Sequence, residues 1–244
     1  MPVDLIGVDG LPEVRPGDDL AELIAARATL RDGDVLVVAQ KVVSKAEGRI
    51  VDLSTVSAGE RAMELAPNLI ARPDPRFVQV VLDESVRVLR SERVLITETR
   101  HGFVCANAGV DHSNTGGDDA VTLLPIDPDA SAQRLCGRLG DLSGARVGVI
   151  VSDTFGRPWR LGIVNVALGV AGLPAVVDLR GTLDDNHKPL HATVLAVADD
   201  IAAAAGLVMG KTARTPAVVV RGVELLGAGA GRDLIRPAAE DLFR

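Results

Sequence analysis

Apolar runs and polar breaks alternate along this chain at the scale of single secondary-structure elements. Asp34 to Ala39, after Asp32-Gly33, is a short apolar run that predicts a buried strand. Glu60 to Ala66 predicts a short helix ended by Pro67-Asn68. Asp74-Pro75 supplies an N-cap and a first-turn proline for a helix through about Glu84. Val86 to Leu89 and Val94 to Thr99 predict strands, and Asp127-Pro128 opens a helix through Leu139. Gly144 precedes a further strand, Val147 to Val151. Thr193 to Ala205 predicts a helix, with Leu195, Ala198, Ile201, Ala202 and Ala205 on one face. Ala217 to Val220 predicts the last strand. The fold class is therefore α/β, or mixed α+β. Strands such as Val147 to Val151 are apolar on both faces, so their sheet is expected to be covered on both sides.

Composition narrows the function classes. The chain has 244 residues, 47% of them hydrophobic, enough for a large core in one domain or two small lobes. It has 33 acidic against 26 basic side chains and a net charge of -7. With four Phe, one Trp and no Tyr, it has few rings for stacking bases. Negative charge and few rings together argue against nucleic-acid binding. Mean hydropathy is +0.25. The longest apolar stretch, Ile163 to Val177, is interrupted by Asn165, two glycines and Pro174. It falls short of the roughly 20 residues that span a bilayer. Met1 to Pro12 carries Asp4 and Asp9, no basic residue and no signal-peptide pattern. Cys105 and Cys136 have no metal-type spacing and read as reduced thiols of a cytoplasmic protein.

Three polar clusters interrupt this pattern. Gln40 to Gly48 directly follows a buried strand, where ligands bind in open α/β sheets, and Lys45 there suits a phosphate. A solvated turn accounts for the same spacing. Glu98 to Gly102 leads to Asn107–Asn114, in which Asp111 and Asn114 supply the hard oxygen donors that Mg²⁺ or Mn²⁺ prefers. His112 has no zinc-type partner and reads as an exposed loop residue. Ser152 to Arg160 follows another buried strand, and its Asp153 and Thr154 resemble the metal shell of a phosphoryl-transfer site. Arg157 and Arg160 suit a bidentate anion or surface ion pairs, with Trp159 packed under the loop.

Two near-motifs fail. Gly206 to Thr212 is one residue short of a P-loop and follows a helix. Gly227 to Arg232 lacks the third glycine of a dinucleotide fingerprint. The residues alone favour a divalent-metal phosphoryl-transfer enzyme without a Walker A loop, and name no substrate.

Longer motifs add a resemblance. They are Gly10–Val14 with Pro16–Asp19, Val42–Gly48, Ala108–Asp111 with Ser113-Asn114, and Leu123–Pro125 with Asp127–Asp129. Ser152–Arg160 is among the most specific, followed by Ala198-Asp199, Leu207–Lys211, Val220–Gly222, Ile235–Pro237 and Asp241–Arg244. Together they resemble the coenzyme F420-0:L-glutamate ligases of the CofE type, over essentially the whole chain. The resemblance implies a single ligase domain over residues 1–244, without the nitroreductase-like second domain of some members. It also implies a two-lobed α/β subunit in an intertwined homodimer. The implied reaction joins L-glutamate to F420-0 by an amide bond through an acyl phosphate, giving F420-1, GDP and phosphate from GTP.

By matching position, the resemblance implies Asp111 and Asp153 as ligands of one divalent ion, Mg²⁺ or Mn²⁺, and Thr154 as a ligand of a second. K⁺ is a further expected ion. Leu11, Pro12, Glu13, Val14, Gln40, Lys41, Lys45 and Asn114 are implied in the GTP site, with the stretch from Met209 through Gly210 and Lys211 to Pro216. Archaeal members place a metal-contacting glutamine where Lys211 stands, and a protonated lysine donates hydrogen bonds but accepts none. The two-domain branch carries lysine there as well. Two other readings remain open: a metal-dependent phosphohydrolase, and a nucleotide-binding domain without turnover.

Overall fold

A computed structural model of the protein describes residues 2–70, 73–112 and 119–241. Strand β1 (Asp4–Gly7) leads to helix α1 (Leu20–Ala25), strand β2 (Val35–Ala39), helix α2 (Gln40–Ala46) and strand β3 (Ile50–Asp52). The middle of the chain forms α3 (Glu60–Leu65), α4 (Pro75–Asp83), β4 (Ser85–Arg90), β5 (Ile96–Thr99), β6 (Val104–Ala106) and β7 (Ala120–Thr122). The remainder forms α5 (Pro128–Ser143), β8 (Gly148–Arg157), β9 (Arg160–Ala171), β10 (Val177–Asp178), β11 (Val194–Leu195), α6 (Val197–Met209) and β12 (Ala217–Arg221).

The main sheet has five strands in the order β1-β12-β2-β8-β9. Only β2 and β8 in it run parallel, with Val35 opposite Gly148 and Ala39 opposite Ser152. Alternate residues of these strands face opposite cores. Leu36, Val38, Val149 and Val151 pack with Leu20 and Ile24 of α1 and Ala132, Leu135 and Leu139 of α5. Val35, Val37 and Ile150 pack with Ala198, Ile201, Ala202 and Ala205 of α6. Helices on both faces explain why the strands are apolar throughout. A second lobe, between α2 and α5, has its own core of Leu53, Phe77, Val78, Val81, Leu95 and Val121. It carries the sheets β4-β5-β6 and β3-β7.

Local signals place most element starts. The Asp74 side chain accepts from the Arg76 amide at the head of α4, with Pro75 in the first turn. Asp127 accepts from the Ala130 amide to cap α5, which runs past the expected Leu139 to a left-handed Gly144. Other expectations need correction. The polar segment after β2 is not a solvated turn but helix α2, because Gln40, Val43 and Ser44 share one buried face, with Lys45 also buried. Ser152 to Arg160 is not a loop: β8 continues through Arg157 and pairs with β9 around a turn at Pro158-Trp159. The helix expected from Thr193 starts at Val197, because Val194 and Leu195 pair with β10 instead. No described helix is long and apolar enough to cross a membrane.

The glycines near the C-terminus serve packing. A Cβ on Gly231 would stand 2.2 Å from the Leu168 carbonyl oxygen. This approach lets the Gly231 amide donate to the Asp129 carboxylate at 2.5 Å, while Val170 donates to the same oxygen at 2.9 Å. The carboxylate therefore ties α5, β9 and the C-terminal segment together. Gly169 sits at the same crossing, where a Cβ would meet the Pro128 carbonyl oxygen at 2.0 Å. That oxygen belongs to backbone and cannot swing away. Gly169→Ala is expected to lower unfolding free energy by at least about 3 kcal/mol, the upper range for overpacking. Urea denaturation checks it, and an unchanged midpoint would refute this account of the crossing.

Candidate active site

The parallel pair brings two distant chain segments side by side. β2 ends at Ala39 and passes directly into α2, so Lys41 lies in the first helical turn. Opposite Ala39, Ser152 lies one residue before Asp153 on β8. Asp111 arrives from the second lobe. Asn107 and Ala108 both have φ near 53° and Gly109 has 72°, a left-handed bend that only glycine adopts without cost. A Cβ on Gly109 would also stand 2.7 Å from the Leu124 side chain. Beyond the bend, Asp111 is pinned to Thr122 by paired backbone hydrogen bonds of 3.0 and 2.9 Å.

These placements build a compact charged cluster. Lys41 Nζ lies 2.8 Å from Asp111 Oδ2. Lys211, just past the end of α6, donates from Nζ to Thr154 Oγ1 at 2.7 Å. Burial raises the Asp153 carboxyl above its ordinary range. The Thr154 amide and the charges of Lys211 and Lys41 oppose that rise, while Asp111 adds to it. One helical turn beyond Lys41, Lys45 is only 6% exposed, and its ammonium pairs with Glu13 of the loop after β1. Lys41, Lys45, Asp111, Asp153, Thr154, Lys211 and Glu13 therefore gather at the carboxyl end of β2, where its parallel pairing with β8 stops, as expected for a ligand site in a parallel sheet.

The other expected site residues have their own places in the fold. The buried Gln40 amide donates to Ser44 Oγ at 2.7 Å and to the Leu123 carbonyl at 2.9 Å. Val14 is buried in one main core, with Leu11 packed against it, and Met209 in the other. Pro12 lies in the same loop, and Gly210 caps α6. The near-P-loop is thus a helix C-terminus. Asn114 lies outside the described residues. His112 is only partly exposed and stacks on Phe77 with ring centroids 4.7 Å apart.

Cys105, expected as a reduced thiol, is free and buried, and burial and the Asp153 charge push its thiol up to about 12. It stays protonated and is no nucleophile. No spacing signal links Cys105 to Asp153, because β6 reaches β8 only through the tertiary fold.

The donor chemistry suits one hard cation. Among the described residues no three His, Cys, Asp or Glu side chains converge as a metal cluster. Asp111 and Asp153 nevertheless form a pair of mutually repelling carboxylates with ammonium groups as neighbours. Such a pair fits Mg²⁺ or Mn²⁺ completed by water and phosphate oxygens. Thr154 adds only a neutral hydroxyl, and that already accepts from Lys211.

Residues 10–222 match the family model described as F420-0:gamma-glutamyl ligase. The chain belongs to this family. It is 46% identical to the coenzyme F420:L-glutamate ligase of Archaeoglobus fulgidus, over 100% of this chain and 97% of that protein. Identity is 44% to the protein of the same name from Methanothermobacter thermautotrophicus, over the full length of both. With the Halobacterium salinarum ligase it is 48%, over 97% of this chain and 94% of the other. The charged cluster lies within the span of the family model, from Glu13 to Lys211.

The Lys45 pair is testable without any ligand. Glu13→Ala leaves a buried ammonium short of its anion and is expected to cost about 1–2 kcal/mol of stability, since Glu13 itself is solvated. Chemical denaturation reads this, and an unchanged curve would mean that Lys45 is satisfied by other groups.

Proposed function

We propose that this chain is a GTP-dependent ligase that joins L-glutamate to coenzyme F420-0, giving F420-1, GDP and phosphate. The observation that carries the reading is the grouping of Asp111 and Asp153 with Lys41, Lys45 and Lys211 in a chain of the F420-0:gamma-glutamyl ligase family. The ligase names of its relatives support the substrates.

Each step asks for a kind of group the site contains. A carboxylate is a poor electrophile, so the acceptor carboxylate first attacks the γ-phosphorus of GTP. The bond to the β-phosphate oxygen breaks, and an acyl phosphate and GDP result. The neutral amine of glutamate then attacks the acyl carbon, phosphate leaves with the bonding pair, and the amine gives up a proton as the amide forms. Acceptor and triphosphate are both anionic, and their approach needs fixed positive charge. Lys41, Lys45 and Lys211 would supply it, exchanging their present partners Asp111, Glu13 and Thr154 for phosphate oxygens. Asp111 and Asp153 would hold a divalent cation, Mg²⁺ or Mn²⁺, which neutralises phosphate oxygens when bound. The buried core beneath these residues keeps the charges in a medium where each counts for more than in water.

The reading includes a homodimer. Trp159 does not pack under the turn as expected: it is 83% exposed, and Leu161 96%, near the tip of the β8–β9 arm, with the exposed Ile163 beside them. Apolar side chains on a projecting ribbon suit a partner surface better than water. A second copy of the chain is the proposed partner, and analytical ultracentrifugation distinguishes dimer from monomer.

The activity test is mass spectrometry of F420-0 incubated with the protein, GTP, Mn²⁺ and L-glutamate. The expected product carries one added glutamyl residue. GDP release at the same rate without F420-0 and glutamate would instead indicate a phosphohydrolase. Asp153→Asn keeps size but removes charge, and should lower ligation roughly a hundredfold or more with the fold intact. Normal turnover of that variant at limiting Mn²⁺ would remove Asp153 from the site. Lys45→Ala should raise the apparent GTP constant, or lower turnover, roughly ten- to hundredfold, the scale of a charge-assisted hydrogen bond. An unchanged GTP titration would leave Lys45 with a structural role alone.

A further inference from the structure

Two lysines of the charged cluster, Lys41 and Lys211, meet different kinds of partner. Lys41 stands against a carboxylate, Asp111, and so balances a negative charge. Lys211 stands 2.7 Å from Thr154 Oγ1, a neutral hydroxyl. A hydroxyl has two acceptor lone pairs and little affinity of its own for a cation in water. The Lys211 ammonium takes one of those pairs. Its charge also acts on Asp153, more strongly than that of Lys41. Lys211 thus serves both Thr154 and the carboxylate pair from the end of α6, whereas Lys41 approaches from α2.

We infer that the Lys211 ammonium takes the place of a second divalent cation, so that this chain works with a single divalent ion held by Asp111 and Asp153. The inference rests on the proposed GTP and metal site. The two sides of the cluster respond differently to an incoming ion. On the Asp111 side, an ion trades one ammonium for two carboxylates, and Lys41 is released toward phosphate. On the Thr154 side, an ion would gain one neutral oxygen and face an ammonium at close range. Among the described residues no group of three or more His, Cys, Asp or Glu side chains gathers around Thr154 to offset that repulsion. Asp111, Asp153, Lys41 and Lys211 sum to zero charge, so one divalent ion already gives the cluster the positive charge that a triphosphate needs. A lysine is also permanently attached, so its charge is present at any metal concentration.

The test counts ions on the full chain. The protein is loaded with a non-hydrolysable GTP analogue and excess Mn²⁺, and native mass spectrometry reads the Mn²⁺ carried per chain. Electron paramagnetic resonance titration gives the affinities. One Mn²⁺ per chain is expected for the parent protein. Lys211→Gln removes the ammonium and offers an amide oxygen at similar reach, so two ions per chain are expected. Its melting temperature should match the parent, because the Lys211 side chain is exposed. Two ions on the parent protein would overturn the inference. A single ion on the variant would do the same, because Lys211 would then not be what excludes the second. A nucleotide-loaded chain that retains no Mn²⁺ would point instead to failure of the metal reading itself, and the inference would fall with it.

Discussion

Parallel pairing of β2 with β8 is the contact on which the rest of the structure depends. Val35 to Ala39 lie alongside Gly148 to Ser152, and every residue from Val35 to Val38 is sealed between two helical layers. Parallel strands end at the same edge of a sheet. This pair therefore sets the start of α2 beside Asp153 and brings two distant stretches of sequence to one place. Antiparallel pairing of the same strands would put the two polar segments at opposite edges. The neighbouring strands, β12 and β9, hold the pair from either side, and β9 also carries the long arm that β8 begins.

Around that edge the protein keeps its charges in balance. Two carboxylates face two ammonium groups in the central cluster, and a third ammonium, Lys45, is almost fully buried against Glu13. Leaving any of the buried charges alone would be expensive. Paired, they form a site in which an incoming anion or cation exchanges partners and does not have to create them. The same rule governs Asp129 in the first turn of α5. Its buried carboxylate accepts from the Val170 and Gly231 amides and from Arg232. One residue there satisfies two backbone donors that would otherwise be orphaned.

The strained bend at Asn107 and Ala108 shows where local preference yields to site geometry. Two non-glycine residues in the left-handed region cost stability, and the packed core around Ala108 and Val110 holds them there. Just beyond the bend stands Asp111, which pairs directly with Lys41 of α2. The second lobe thus contributes to the site mainly this one carboxylate, and its core of Phe77, Val78 and Val81 provides the rigidity behind it.

Sequence alone determined a good deal. Continuous apolar runs marked β2, the start of β8 and β12 because strands buried on both faces need them. Asp-Pro pairs marked α4 and α5 because capping is a local event between near neighbours. Motif resemblance singled out Asp111, Asp153, Thr154, Lys41, Lys45 and Lys211. Other features were decided only by tertiary structure. Gln40 to Ala46 is polar enough to read as a turn, and becomes helical because the core and the Leu123 carbonyl receive one of its faces. Ser152 to Arg157 extends a strand because β9 supplies a partner, although the segment has lost its apolar pattern. Cys105 beside Asp153, Lys41 on Asp111 and Lys211 on Thr154 join residues 48 to 70 positions apart. Local propensity acts over a few residues, whereas these contacts exist only once sheet register and lobe packing have closed the distance.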